Sequence, residues 1–143
     1  MRARIIRQDG TTEPVELPDN GPGLSAMYAA IGCSLVDVVR VLEAKPGRPG
    51  IDMWIADDES VSQAEPNKVA SLLCGDIAER EMATWLLGHV LVTGGADSEG
   101  DTLPLTTLQD QVIESMAAHY KRLCDVVDAA VEASGEGIEV IFV

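Results

Sequence analysis

The sequence predicts an α+β fold: a small antiparallel or mixed sheet with short helices packed on it, one long C-terminal amphipathic helix, and a terminal strand. Three observations predict it. Short β-branched stretches alternate with turn-rich runs, and a hairpin signal opens the chain. The intervals between strands are too short for regular βαβ units. From Leu105 to Ser134, apolar residues recur three or four positions apart, the period of a helix face.

In order, Arg2 to Gln8 reads as a strand, Asp9-Gly10 as a type I′ turn, and Thr11 to Leu17 as the returning strand. Pro14 lacks an N–H, so that returning strand belongs at a sheet edge. The run from Pro18 to Gly23 leads into a short helix, Leu24 to Ile31, stopped by Gly32. Leu35 to Glu43 is β-branched and mostly apolar, which predicts a buried strand. In Ile51 to Ala56, Ile51, Met53 and Ile55 alternate with Asp52 and Trp54 as in a strand, and an acidic turn follows at Asp57 to Ser60. Asn67 to Leu73 and Asp76 to Leu87 read as two helices divided by Gly75. His89 to Thr93 is a further strand and Gly94 to Asp101 an acidic loop. The long helix can be capped by Thr106 or Thr107, with Gln109 or Asp110 closing a capping box. Ile138 to Val143 reads as the terminal strand. Pro104 divides a body, residues 1–103, from a helix and strand, residues 105–143, that pack on the body or on a second subunit.

The stripe Leu105, Leu108, Val112, Met116, Tyr120, Leu123, Val127 and Val131 advances about 3.7 residues per step, above the 3.5 of a left-handed coiled coil. That predicts a nearly straight helix, with Leu108, Val112, Met116, Tyr120, Leu123 and Val127 as its assembly face in a homodimer or higher oligomer.

Charge narrows the function classes. The 143 residues carry a formal net charge of −14, with 24 acids against 10 Lys and Arg. Residues 1–51 balance six acids with six bases, whereas residues 52–101 alone hold −9. Such a field repels nucleic acid, because phosphate neutralisation needs clustered cations. It steers the molecule toward cationic partners. No apolar run is long enough for a bilayer span. The N-terminal residues lack the apolar block of a signal peptide. Three widely spaced cysteines (Cys33, Cys74, Cys124) in apolar surroundings read as buried thiols in a reducing compartment, so a cytoplasmic location is expected.

The candidate chemistry is sparse. Asp97-Ser98-Glu99-Gly100-Asp101 alternates carboxylates but lacks the fuller ligand set of a calcium loop, and reads as a solvated tip. Thr93-Gly94-Gly95 follows a strand, yet no phosphate-binding glycine pattern is present. His89 and His119 have no partner at metal-ligand spacing, and Cys74 lies among leucines. Asp57, Asp58 and Glu59 share a strand end without a readable nucleophile or base beside them. Asn67 reads as a helix N-cap. No catalytic, metal or cofactor residues are therefore assigned. Arg2, Arg4, Arg7, Arg40 and Arg48 remain as a ligand-binding set: gathered around one concavity, they would grip a small phosphorylated molecule through bidentate bonds.

A family resemblance runs through the body. The segments Ile5-Ile6-Arg7-Gln8-Asp9-Gly10, Val15-Glu16-Leu17-Pro18 and Val36-Asp37-Val38-Val39-Arg40 are followed by Met53-Trp54-Ile55-Ala56-Asp57-Asp58-Glu59, Glu65-Pro66-Asn67 and His89-Val90-Leu91-Val92-Thr93-Gly94-Gly95. In that order they resemble the DUF3846 family over about residues 3–103. The resemblance implies a phage or mobile-element setting, with the host cytoplasm as location, and supplies no catalytic residue. The chain departs from the family pattern at Ser60 to Gln63, which lacks the usual Gly-rich turn, and after Pro104, where the helix and strand are an addition.

Residues and resemblance together favour a non-catalytic phage-type accessory protein that binds and inhibits a host defence protein through its acidic surface. The alternative is a sponge that sequesters a nucleotide-type signal in an arginine-lined pocket. A further alternative is a small hydrolase.

Overall fold

The computed structural model describes residues 1–19 and 24–134. Five strands form one sheet: β1 (Arg2–Ile6), β2 (Thr12–Glu16), β3 (Val36–Leu42), β4 (Ile51–Ala56) and β5 (Val90–Gly94). Their spatial order is β2-β1-β5-β4-β3, and every pairing is antiparallel. The helices are α1 (Leu24–Ile31), α2 (Lys68–Ala78) and α3 (Thr107–Ser134), with a 3₁₀ turn at Glu59–Gln63. The α+β class read from the sequence holds. The predicted strand from Ile138 to Val143 lies outside the described residues.

Successive strand residues point to opposite faces, and each face has its own core. Ile6, Met53, Val90 and Val92 meet Val69, Leu73 and Cys74 of α2 and Ile113, Ala117 and Cys124 of α3. On the opposite face Ala3, Ile5 and Leu91 meet Met27 and Ile31 of α1. The core under α2 and α3 is continuous across Pro104.

Three local expectations are corrected. The opening hairpin is not a two-residue type I′ turn. Arg7 N–H donates to the Thr11 carbonyl (2.8 Å) and Gly10 N–H to the Arg7 carbonyl (2.8 Å). Of the loop residues only Gly10 has positive φ (+89°), so the connection is a three-residue loop closed by a glycine bulge. A side chain at Gly10 would also strike Lys121 Cδ, 2.6 Å from an ideal Cβ.

Second, β3 is an edge strand rather than a buried one. Only Val41 of its seven residues is buried, and Val38 is 42% exposed. Third, α2 runs through Gly75 and stops at Glu79, in the left-handed region at φ 54°. Arg80 N–H donates to the Gly75 carbonyl and Glu79 N–H to that of Asp76, which is a Schellman end. Gly75 is inside the helix because the returning chain crosses it: a Cβ there would lie 3.0 Å from the Arg80 carbonyl oxygen.

The line of α3 that packs on the body lies beside the stripe read from the sequence as an assembly face. Ile113, Ala117 and Cys124 are buried against the body, while Leu108 is 70%, Val112 45% and Leu123 39% exposed. At about 100° per residue the buried line is turned roughly 90° from the sequence stripe. Met116, Tyr120, Val127 and Val131 are half-buried along its margin. The start of α3 follows the capping-box expectation: Gln109 N–H donates to Thr106 Oγ1 (3.0 Å) and Thr106 N–H to Gln109 Oε1 (3.0 Å).

Candidate functional site

Arg2 and Arg4 alternate with Ala3, so both project to the α3 side of β1. There an open groove of about 510 Å³ runs between the β1–β2 pair and the first turns of α3, lined by Arg2, Arg4, Pro14, Glu16, Thr107, Asp110, Gln111 and Glu114. Arg4 is 4% exposed. Its Nε donates to Asp110 Oδ1 (2.7 Å), one terminal nitrogen to Asp110 Oδ2 (3.3 Å) and the other to Thr12 Oγ1 (2.9 Å). Glu114 approaches the same guanidinium at 3.5 Å. Arg4 thus ties α3 to the sheet with a bidentate pair. Arg2 donates to Thr107 Oγ1 (2.9 Å) and is the less buried cation of the groove.

The other arginines lie elsewhere. Arg7 pairs with Glu13 beside the hairpin loop. Arg40 is on β3, separated from β1 by β5 and β4, and its Nε is 3.9 Å from Asp52 Oδ1. Arg48 donates to the Glu43 carbonyl within the β3–β4 connection (2.8 Å). The fold brings Arg2 and Arg4 together and leaves Arg7, Arg40 and Arg48 apart. With two guanidiniums against the carboxylates of Glu16, Asp110 and Glu114, the groove is of mixed sign.

A family model described as "Domain of unknown function (DUF3846)" matches residues 1–125. The chain belongs to the DUF3846 family. No curated protein and no solved structure matches it. The matched span runs past Pro104 to Asp125, so this DUF3846 domain includes most of α3 and the Arg4–Asp110 tie. The resemblance over residues 3–103 had stopped short of that.

Other residues singled out in the sequence serve the DUF3846 scaffold. Gly94 and Gly95 permit backbone crossings: a Cβ on Gly94 would lie 2.5 Å from the Pro104 carbonyl oxygen, and one on Gly95 3.1 Å from Gly50 Cα. His89 Nδ1 accepts from the Gln8 N–H (3.2 Å). His119 packs edge-on to Tyr120, whose hydroxyl donates to Asp76 (2.6 Å). That bond pushes the Tyr120 hydroxyl up to about 12. Asp58 caps the 3₁₀ turn and accepts from Ser60 and Ser34, and those bonds hold its carboxyl well below the usual range. Burial pushes all three cysteine thiols up, away from the thiolate that a nucleophile needs. In the acidic loop, Asp97 Oδ1 accepts from the Glu99 and Asp101 N–H groups. Among the described residues no group of three His, Cys, Asp or Glu side chains is placed to hold a metal ion. Among them, too, no helix is long and apolar enough to cross a membrane.

One feature was not read from the sequence. Asp52, on β4, is 3% exposed, and its Oδ1 has no hydrogen-bond partner. The face Asp52 meets is the one α1 covers, which it shares with Trp54 and Ala56. On the outer side of α3, Leu108, Val112 and Leu123 of the stripe read from the sequence are exposed together with Val126.

Proposed function

We propose that this DUF3846 protein is a non-catalytic accessory protein that binds and inhibits a host protein bearing a cationic surface, in the phage or mobile-element setting the family resemblance implies. The observation that carries this reading is the disposition of charge. Of the described carboxylates, all except Asp52, Asp58, Asp97 and Asp110 are exposed. Meanwhile Arg4, Arg7, Arg40, Lys68 and Lys121 are each engaged with a carboxylate of the chain itself. The outward field is therefore acidic, which speeds encounter with a cationic patch and suppresses other partners. The internal polar groups act as ties: Arg4 to Asp110, Asn67 to Ile6 and Gly88, Ser71 to Leu86.

The mixed sign of the Arg2–Arg4 groove makes it a poorer anion trap than an acidic surface is a cation trap. The test compares the immobilised protein with a variant carrying Asp57→Asn, Glu59→Gln and Glu65→Gln, in host lysate at low and raised salt. One host protein retained at low salt, released by salt and lost in the variant supports the reading. Retention of none, or of a partner indifferent to both changes, overturns it. A phosphorylated small molecule released by heating the purified protein would favour the sponge instead.

A further inference from the structure

The outer face of α3 is apolar, free of charge and ordered like its own reverse. On the helical wheel, Leu108, Val112, Met116, His119, Leu123 and Val126 fall within an arc of about 80°. Leu108 and Val126 are 70% and 66% exposed, the largest exposures among the described large hydrophobic residues. Every acid of the described helix (Asp110, Glu114, Asp125, Asp128, Glu132) lies within an arc of about 60° on the opposite side. Arg122 borders the stripe, and no charged side chain interrupts it. On a chain of net charge −14, this segregation leaves one helical face on which a second acidic molecule meets no carboxylate of α3.

We propose that this face pairs antiparallel with the same face of a second copy of the chain, about a two-fold axis near Ala117. The order of the stripe is the argument. When two such helices run antiparallel with the axis at that level, Leu108 comes opposite Val126 of the other copy and Val112 opposite its Leu123. Met116 then lies beside its His119. Leu108 with Val126 and Val112 with Leu123 each match apolar with apolar, which is the self-complementarity that an isologous contact requires. A cationic partner gains nothing from this face, since the carboxylates that would attract it point the other way.

Leu108 to Val126 covers about 27 Å of helix, and five steps over that length advance about 3.6 residues each, so the two helices meet without sustained supercoiling. One helix pair of this length buries less than the roughly 800 Å² per partner of a standard interface. The dimer is accordingly concentration-dependent. It leaves the acidic surfaces of both copies outward and makes capture of a partner bivalent, independently of what that partner is.

Sedimentation of the full-length protein over a wide concentration range, with circular dichroism as a check on folding, tests the proposal. The wild type is expected to dissociate on dilution. Val112→Glu and, separately, Val126→Glu are expected to weaken association at least tenfold with unchanged helix content, because both positions are exposed in the single chain. Orientation is read by oxidation of engineered cysteines. Val112→Cys with Leu123→Cys should give interchain disulfides that neither single variant gives. A wild type that stays monomeric at every concentration overturns the proposal and leaves the face to another segment of the chain or to a different protein. So does a dimer that both glutamate variants preserve. Efficient linkage by Val112→Cys alone would show parallel pairing and overturn it as well.

Discussion

Asp52 and Asn67 are buried polar side chains of nearly the same shape, and the fold treats them in opposite ways. Asn67 is fully buried. Its Nδ2 donates to the carbonyls of Ile6 (2.9 Å) and Gly88 (2.8 Å), and its Oδ1 accepts from the Ala70 N–H (3.0 Å). One side chain caps α2 and ties it to β1 and to the turn before β5, which is more than the N-cap role readable in the sequence. Ser or Asp can cap, but neither supplies the two donors. Asn67→Asp should therefore destabilise by about 3 kcal/mol or more, since two buried carbonyls lose their partner and a charge is buried against them. Urea denaturation at neutral pH measures this, and a loss below about 1 kcal/mol would mean that the two carbonyls are satisfied otherwise. For Asp52 the sign reverses. Burial raises its carboxyl above the ordinary range, and Arg40 only partly offsets that. A carboxyl that is harder to ionise in the folded chain makes the fold lose stability as pH rises from the unfolded carboxyl range through the raised value. Asp52→Asn should then raise the melting temperature at neutral pH, with the gain vanishing once the medium is acidic enough to protonate both states. A gain that persisted unchanged in acid would show that packing, not charge, sets the cost.

At the scale of elements, the legible parts were those whose signals are local. The Thr106–Gln109 box and the Ile51–Ala56 strand are written in a few adjacent residues, and the structure uses them as read. The misreadings share one cause: a local signal whose meaning is set by a distant segment. Gly75 looked like a helix stop, yet it is a clearance for the chain at Arg80 and Met82. The β-branched run of β3 announced a strand but not its place at the sheet edge, which depends on β4 and β5 already being paired. Asp110, the partner of Arg4, is 106 residues away in sequence, and no spacing rule links the two. The true stop of α2 carries a testable consequence. Glu79 occupies the left-handed position of the Schellman end, where a Cβ costs about 1 kcal/mol that glycine avoids. Glu79→Gly should raise the urea midpoint by an amount equivalent to about 0.5–1 kcal/mol, the lower bound reflecting the greater unfolded-state freedom of glycine. Destabilisation instead would show that the Glu79 side chain holds a contact worth more than the strain.

The whole molecule is governed by its charge. Among the described residues the exposed ion pairs between side chains, Arg7–Glu13, Lys68–Asp128 and Lys121–Asp125, are few, and each contributes about 0–1 kcal/mol. The Arg4–Asp110 tie is buried, so salt screens it much less. Against these stands a net charge of −14 on a single small domain, whose self-repulsion opposes the compact state. Screening shortens the reach of that repulsion from about 30 Å at 0.01 M salt to about 10 Å at 0.1 M. Sodium chloride should therefore stabilise the fold, raising the urea midpoint steeply at low ionic strength and levelling off as the repulsion is exhausted. Chloride is the right anion for the test, because sulfate also strengthens apolar burial and would mask the effect. A midpoint that stays flat or falls with salt would mean that the ion pairs outweigh the repulsion. The same screening acts in opposite senses on the fold and on its proposed partner. A cationic partner relieves the repulsion and stabilises the fold on binding, while added salt stabilises the free protein and weakens the complex. Measured side by side, a rising midpoint and a falling affinity over one salt range would trace both effects to the outward carboxylates.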